Sequence, residues 1–126
     1  MSAYGKALMS QDSVSTMDEP EDSFFEAVKE IIKKIPAGKV ATYGQIARYA
    51  GNPQGARQVA WVLHSYSRKE NLPWHRVINS KGGISLPHGS GYEMQKALLE
   101  KEGVKFGNHD IIDLKKYQWN PQQTYF

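Results

Sequence analysis

The chain has no cysteine. Over 126 residues that absence excludes disulfides, thiolate metal sites and every reaction that passes through a thiol nucleophile. Also missing is any apolar run near the ~20 residues that cross a bilayer, and the stretch before Ser23 lacks the apolar centre of a secretory leader. No membrane contact is expected, and the protein is placed in the cytoplasm, nucleoid-associated or nuclear according to the cell. Acids are scarce beyond residue 22. Residues 23–126 carry fifteen Lys and Arg against eight Asp and Glu, whereas residues 1–22 carry one Lys and five acids. The larger part is therefore basic, which favours polyanionic partners.

What is present suits one modest core: 40% of residues are hydrophobic and 11% aromatic. We expect a single, mostly helical α/β domain over residues 23–120, between a disordered acidic tail (1–22) and a short C-terminal tail (121–126). Ser23 and Glu26 fit a capping box, and Phe24, Val28, Ile31, Ile32 and Ile35 recur at helical spacing up to Pro36. The polar positions between them, including Lys29, Lys33 and Lys34, read as a solvated face. Thr42 and Gln45 form a second capping box for a helix to about Ala50, closed by Gly51. Asn52 and Pro53 then suit the start of a helix to about Ser65, with Ala56, Val59, Ala60 and Leu63 on its apolar side. Two short helices across one tight turn match a helix-turn-helix, though helical hairpins are widespread and the pairing alone does not specify DNA.

Residues Tyr66 to Asn71 read as a loop, Leu72 to Ile78 as extended, and Asn79 to Gly83 as a hairpin or tight turn. After a glycine-bearing loop to Gly91, Ser90 and Glu93 suit a third capping box, for a helix with Met94, Ala97 and Leu98 inward that stops at Gly103. The last stretch reads as extended through Ile111, Ile112 and Leu114, with Tyr117 and Trp119 closing over the core.

Five motifs in order carry a resemblance: Ile35-Pro36-Ala37-Gly38-Lys39-Val40, Thr42-Tyr43-Gly44-Gln45-Ile46-Ala47, Asn52-Pro53 with Ala56-Arg57, Pro73-Trp74-His75-Arg76-Val77-Ile78, and Glu102-Gly103. Together, over about residues 23–119, they are similar to the C-terminal domain of the O6-alkylguanine-DNA alkyltransferases. That family writes its active-site block Pro-Cys-His-Arg-Val. Trp74 in the cysteine's place resembles the alkyltransferase-like branch, which keeps the DNA-binding domain and lacks the nucleophile.

The chemistry of tryptophan agrees with this. Alkyl transfer by the family's route needs a thiolate, and an indole nitrogen donates one hydrogen bond and accepts none. What an indole offers is a broad apolar face for an alkyl group and a purine. On its own the residue would read as core; the flanking motifs make it a pocket floor.

The resemblance implies the alkyltransferase C-terminal domain fold, with a winged-helix-like helix-turn-helix and a short β-hairpin. It also implies a monomer that binds O6-alkylguanine in double-stranded DNA by base flipping, does not repair it, and signals to nucleotide excision repair proteins. Neither cofactor nor metal is implied. Tyr43 resembles the tyrosine that turns the phosphate backbone, and Arg57 the arginine that replaces the extruded base in the stack. His75 and Glu102 resemble the family's hydrogen-bonded pair, left here as a structural link. Pro73, Ala56, Gln58, Arg76, Gly89 and Ser90 complete the expected DNA and lesion contacts. The chain departs from the pattern at Tyr66, where the family has a loop asparagine, and near His88-Gly89, where many transferases carry a Tyr-Ser pocket wall. Rival readings are a sequence-specific helix-turn-helix DNA-binding regulator and an enzyme, either a residual member of the alkyltransferase family or a hydrolase using His75 and Glu102.

Overall fold

The computed structural model describes the backbone of residues 15–121 and the side chains of residues 23–121. Five helices are present there: α1 (Ser15–Lys33), α2 (Tyr43–Tyr49), α3 (Ala56–Glu70), α4 (Tyr92–Lys101) and α5 (Leu114–Tyr117). A 3-10 turn at Trp74–Arg76 follows α3, and two short strands, β1 (Ala41–Thr42) and β2 (Val77–Ile78), complete the frame.

The strands pair in parallel, Ala41 with Val77 and Thr42 with Ile78. A parallel pair needs a crossover rather than a tight turn, and α2 with α3 supply it. The expected β-hairpin is thus corrected. Asn79 to Gly83 does turn tightly, the Asn79 amide donating to the Gly83 carbonyl at 2.9 Å, but the chain leaving it meets Ile112. This small pair separates two cores. Successive strand residues point to opposite faces, so Ala41 and Val77 join Val28, Ile32, Ile46, Val59 and Val62 on one side. Val40 and Ile78 join Leu99, Val104, Ile112 and Tyr117 on the other.

The apolar stripe of α1 is as expected, with Val28, Ile32 and Ile35 buried. Its start is not. The backbone is already helical at Ser15, so Ser23 lies inside α1 and caps nothing; a Ser-x-x-Glu pattern marks a start only where the preceding backbone is non-helical. Residues 1–14 of the expected tail and 122–126 lie outside the described residues. Lys29 also departs from the solvated-face reading. It is 6% exposed, with Nζ 2.9 Å from Glu70 and 3.1 Å from Glu26, and 3.8 Å from the centre of the Tyr66 ring.

That pair explains a second correction. α3 does not end near Ser65 but runs to Glu70, where Asn71 caps it in the left-handed conformation (φ 54). In this mostly polar segment Tyr66 packs on the first core, and Lys29 reaches its last turn across the interface with α1. At its other end α3 starts at Ala56 rather than Pro53. Asn52 instead closes a turn, accepting from the Gln54 amide at 3.2 Å through its side chain and from the Gly55 amide at 2.9 Å through its carbonyl. A Cβ at Gly55 would stand 2.6 Å from the end of the Phe24 ring and 3.1 Å from the Asn52 carbonyl, so the ring would have to shift to admit one.

α4 likewise begins at Tyr92 after Gly91, with no side-chain cap, and Glu93 reaches back to the Gly89 amide at 2.9 Å instead of pairing with Ser90. Its inward residues are Gln95 and Leu99, one position on from the expected Met94 and Leu98; Met94 is 62% exposed and Ala97 is exposed. The C-terminal stretch is not simply extended, since α5 interrupts it. Tyr117 is buried in the second core, and Trp119 packs on the first.

Candidate nucleic-acid interface

The Thr42 capping box sets the angle of α2. Thr42 Oγ1 accepts from the Gln45 amide at 3.0 Å, and Gln45 Oε1 accepts from the Thr42 amide at 3.2 Å. Gln45 also donates to the Trp119 carbonyl at 2.6 Å, tying the C-terminal segment to the same cap. Tyr43 is thereby the first residue of α2, half-buried and facing a cavity. Burial pushes its hydroxyl up from the usual tyrosine range, against a hydrogen bond with Ser85 that pulls it down.

Trp74 opens the 3-10 turn, and its neighbours face elsewhere. Its indole lines the cavity, while His75 Nε2 lies 2.8 Å from Glu102 Oε2 at the end of α4. Arg76 shares that carboxylate, with Nε at 3.0 and 3.2 Å and Nη2 at 2.6 Å, and its Nη1 donates to the Ile35 carbonyl at 2.8 Å. The Gly38 amide is a further donor to Glu102, at 3.1 Å; a glycine serves here because φ is +86° and a Cβ would come within 3.3 Å of the Glu102 carbonyl. Burial works against the Glu102 charge, but the bonds from Arg76, His75 and Gly38 win and hold its pKa down at about 2. From the other side Gln95 donates to the carbonyls of His75 (3.1 Å) and Val77 (2.9 Å). The turn carrying Trp74 is clamped at both flanks by α4.

The expected His75–Glu102 link is present, then, as part of a four-group cluster. Arg76, expected among the DNA contacts, spends its guanidinium on Glu102 and the Ile35 carbonyl. The hydrolase reading loses ground too, since every bond of the Glu102 carboxylate goes to the fold.

The cavity beside Trp74 has a volume of about 740 Å³. It unites Tyr43 and Trp74 with residues the sequence reading left out: Leu63, His64, Ser67 and Arg68 of α3, and Ser85, Leu86 and Met94 opposite. The α3 set was legible had the helix been continued, because these positions share a helical face. Ser85 and Leu86 line the cavity, whereas His88 and Gly89 do not. His88 stacks on Tyr92 at 3.9 Å between ring centres, while Gly89 and Ser90 are exposed and outside the cavity lining. Pro73 is half-buried beside Trp74.

Arg57 and Gln58 are exposed in the first turn of α3 and line a smaller hollow of about 470 Å³ with Phe25 and Trp61, apart from the main cavity. Ala56 is half-buried at the helix start. Arg57 has no hydrogen bond or ion pair among the described residues, which leaves its side chain extendable. The helix-turn-helix geometry therefore presents a free cation at one end of α3 and an aromatic-lined cavity along the other. Among the described residues, no helix is long and apolar enough to cross a membrane.

This arrangement has counterparts. The family model of the 6-O-methylguanine DNA methyltransferase DNA-binding domain matches residues 23–104. The chain is 46% identical over 102 residues to the DNA base-flipping protein of Escherichia coli, covering 81% of this chain and 78% of that one. It is 42% identical over 105 residues to alkyltransferase-like protein 1 of Schizosaccharomyces pombe, covering 79% and 97%. Among solved structures, that of S. pombe Atl1 in complex with damaged DNA containing O6-carboxymethylguanine superposes with a TM-score of 0.72, at 42% identity over 79% of this chain and 97% of that one.

Proposed function

Since the chain belongs to the family of the 6-O-methylguanine DNA methyltransferase DNA-binding domain, we propose that it recognises O6-alkylguanine in duplex DNA by base flipping, without alkyl transfer. What supports this reading is a cavity of about 740 Å³ lined by Trp74 in a chain with no cysteine, the indole standing, by resemblance, where the family's block carries its nucleophile. A base entering there meets Trp74 and Tyr43, and the alkyl group gains apolar contact without meeting a group able to accept it.

Each proposed role follows from placement. Arg57, free at the start of α3, enters the stack where the guanine has left it, since a guanidinium both stacks and bonds the orphaned base. Tyr43 bears on the turned nucleotide from the start of α2. The chain acts as a monomer in the compartment that holds DNA, and its stable complex passes the lesion to nucleotide excision repair. A relative named a DNA base-flipping protein and a related structure holding damaged DNA support the lesion-recognition part.

The test measures affinity for one duplex with and without a single O6-methylguanine, then follows the lesion during incubation. Tighter binding to the modified duplex with the lesion intact is expected. Equal affinity would favour the regulator, and loss of the lesion would mean an enzyme.

A further inference from the structure

The cavity is not uniformly apolar. Trp74, Leu63, Leu86 and Met94 form one part of its lining, and the last turns of α3 contribute Arg68 and His64. No Asp or Glu lines it. The only acid of α3 is Glu70, and its carboxylate is engaged by Lys29 at 2.9 Å and Lys33 at 3.6 Å. Arg68, exposed at the cavity's edge, makes no side-chain hydrogen bond or ion pair among the described residues. Ser67, in the same wall, has a buried hydroxyl with no hydrogen-bond partner there.

We propose that this α3 end of the cavity is an anion subsite, in which Arg68 takes a negatively charged group carried on O6 of the extruded guanine. The inference rests on the lesion-recognition reading above. A carboxylate has an unperturbed pKa of ~4 and is ionised at neutral pH, and a guanidinium binds it through two parallel hydrogen bonds. A neutral group filling the same space desolvates Arg68 without pairing it, which is unfavourable. The pocket thus discriminates by charge as well as size. The competing source of anionic oxygen is a backbone phosphate, which every duplex supplies.

The experiment uses the full chain at fixed salt and four duplexes identical except at one base: guanine, O6-methylguanine, O6-carboxymethylguanine and its uncharged isostere O6-carbamoylmethylguanine. The carboxymethyl duplex is expected to bind about tenfold more tightly than the carbamoylmethyl one, as for a hydrogen bond to a charged group. Arg68→Gln should bring that ratio towards one, and Arg68→Lys should retain part of it. A ratio of one in the unaltered chain overturns the subsite, and so does a ratio that survives Arg68→Gln; in the second case an equal loss on all four duplexes would place Arg68 on a phosphate. If O6-methylguanine and guanine bind alike as well, the lesion-recognition reading falls too; if methyl is still preferred, only the charge reading is lost.

Discussion

Trp74 and Arg57 carry different parts of the proposed recognition, and single substitutions separate them. Trp74→Cys would create the Pro-Cys-His-Arg-Val block that the resemblance implies, beside His75 and Glu102, already 2.8 Å apart, yet we expect little or no alkyl transfer. Attack needs sulfur and carbon aligned within ~3–3.5 Å, and misplacement by about 1 Å costs ~100-fold; a cavity of about 740 Å³ does not confine a methyl group that closely. Lost indole contact should also lower lesion affinity, by about 1–3 kcal/mol. Incubation with DNA labelled on O6-methylguanine checks this, and stoichiometric label on the protein within minutes would overturn it. Arg57→Ala should weaken binding to a lesion duplex more than to an undamaged one, because a side chain that fills the stack matters when a base has left it. Equal losses in a paired titration would reduce Arg57 to a phosphate contact.

At the scale of elements, the cluster on Glu102 joins the Trp74 turn to α4, α1's end and the Gly38 turn. Its carboxyl is held at about 2, below the ordinary 4.5. A lowered carboxylate pKa contributes stability that is complete above the unfolded value and lost as pH falls through the folded one. The stability should therefore decline from about pH 5 towards about pH 2, and urea midpoints of Glu102→Gln should change less over that range. Parallel curves would place the acid sensitivity elsewhere. At neutral pH the same variant leaves the half-buried Arg76 without its carboxylate, a loss of up to ~3 kcal/mol. The Lys29–Glu70 pair plays a comparable part between α1 and α3, and through it the turns of α3 that border the cavity keep their helical form.

The whole molecule is a basic domain, with fifteen basic against eight acidic residues after position 22. Neutralising phosphates with Lys and Arg releases counterions, so log affinity for DNA should fall linearly with log salt, by roughly 0.9 per phosphate neutralised on duplex DNA. Titrations at several salt concentrations read this slope, and a salt-independent constant would end the DNA reading. The field acts on any duplex; in the proposed function, selection of the damaged base belongs to the cavity and the clamped turn beside it.

The motifs at Thr42–Gln45, Pro73–Ile78 and Glu102 made the family, the start of α2 and the His75–Glu102 link legible in the sequence, and the spacing of Val28, Ile32 and Ile35 did the same for the apolar face of α1. Each rests on local spacing or on residue chemistry: a capping box closes within four residues, an apolar stripe repeats each turn, and an indole without a thiol cannot accept an alkyl group. What escaped depended on partners distant in the chain. α3 continues to Glu70 where Tyr66 packs on the core and Lys29 meets Glu70, β1 and β2 run parallel because two helices intervene, and Arg76 turns inward because Glu102 waits there. The cavity's cationic end follows from the first of these, since Arg68 joins the wall only once the helix extends that far. Such features arise from packing between segments tens of residues apart, which local propensity does not encode.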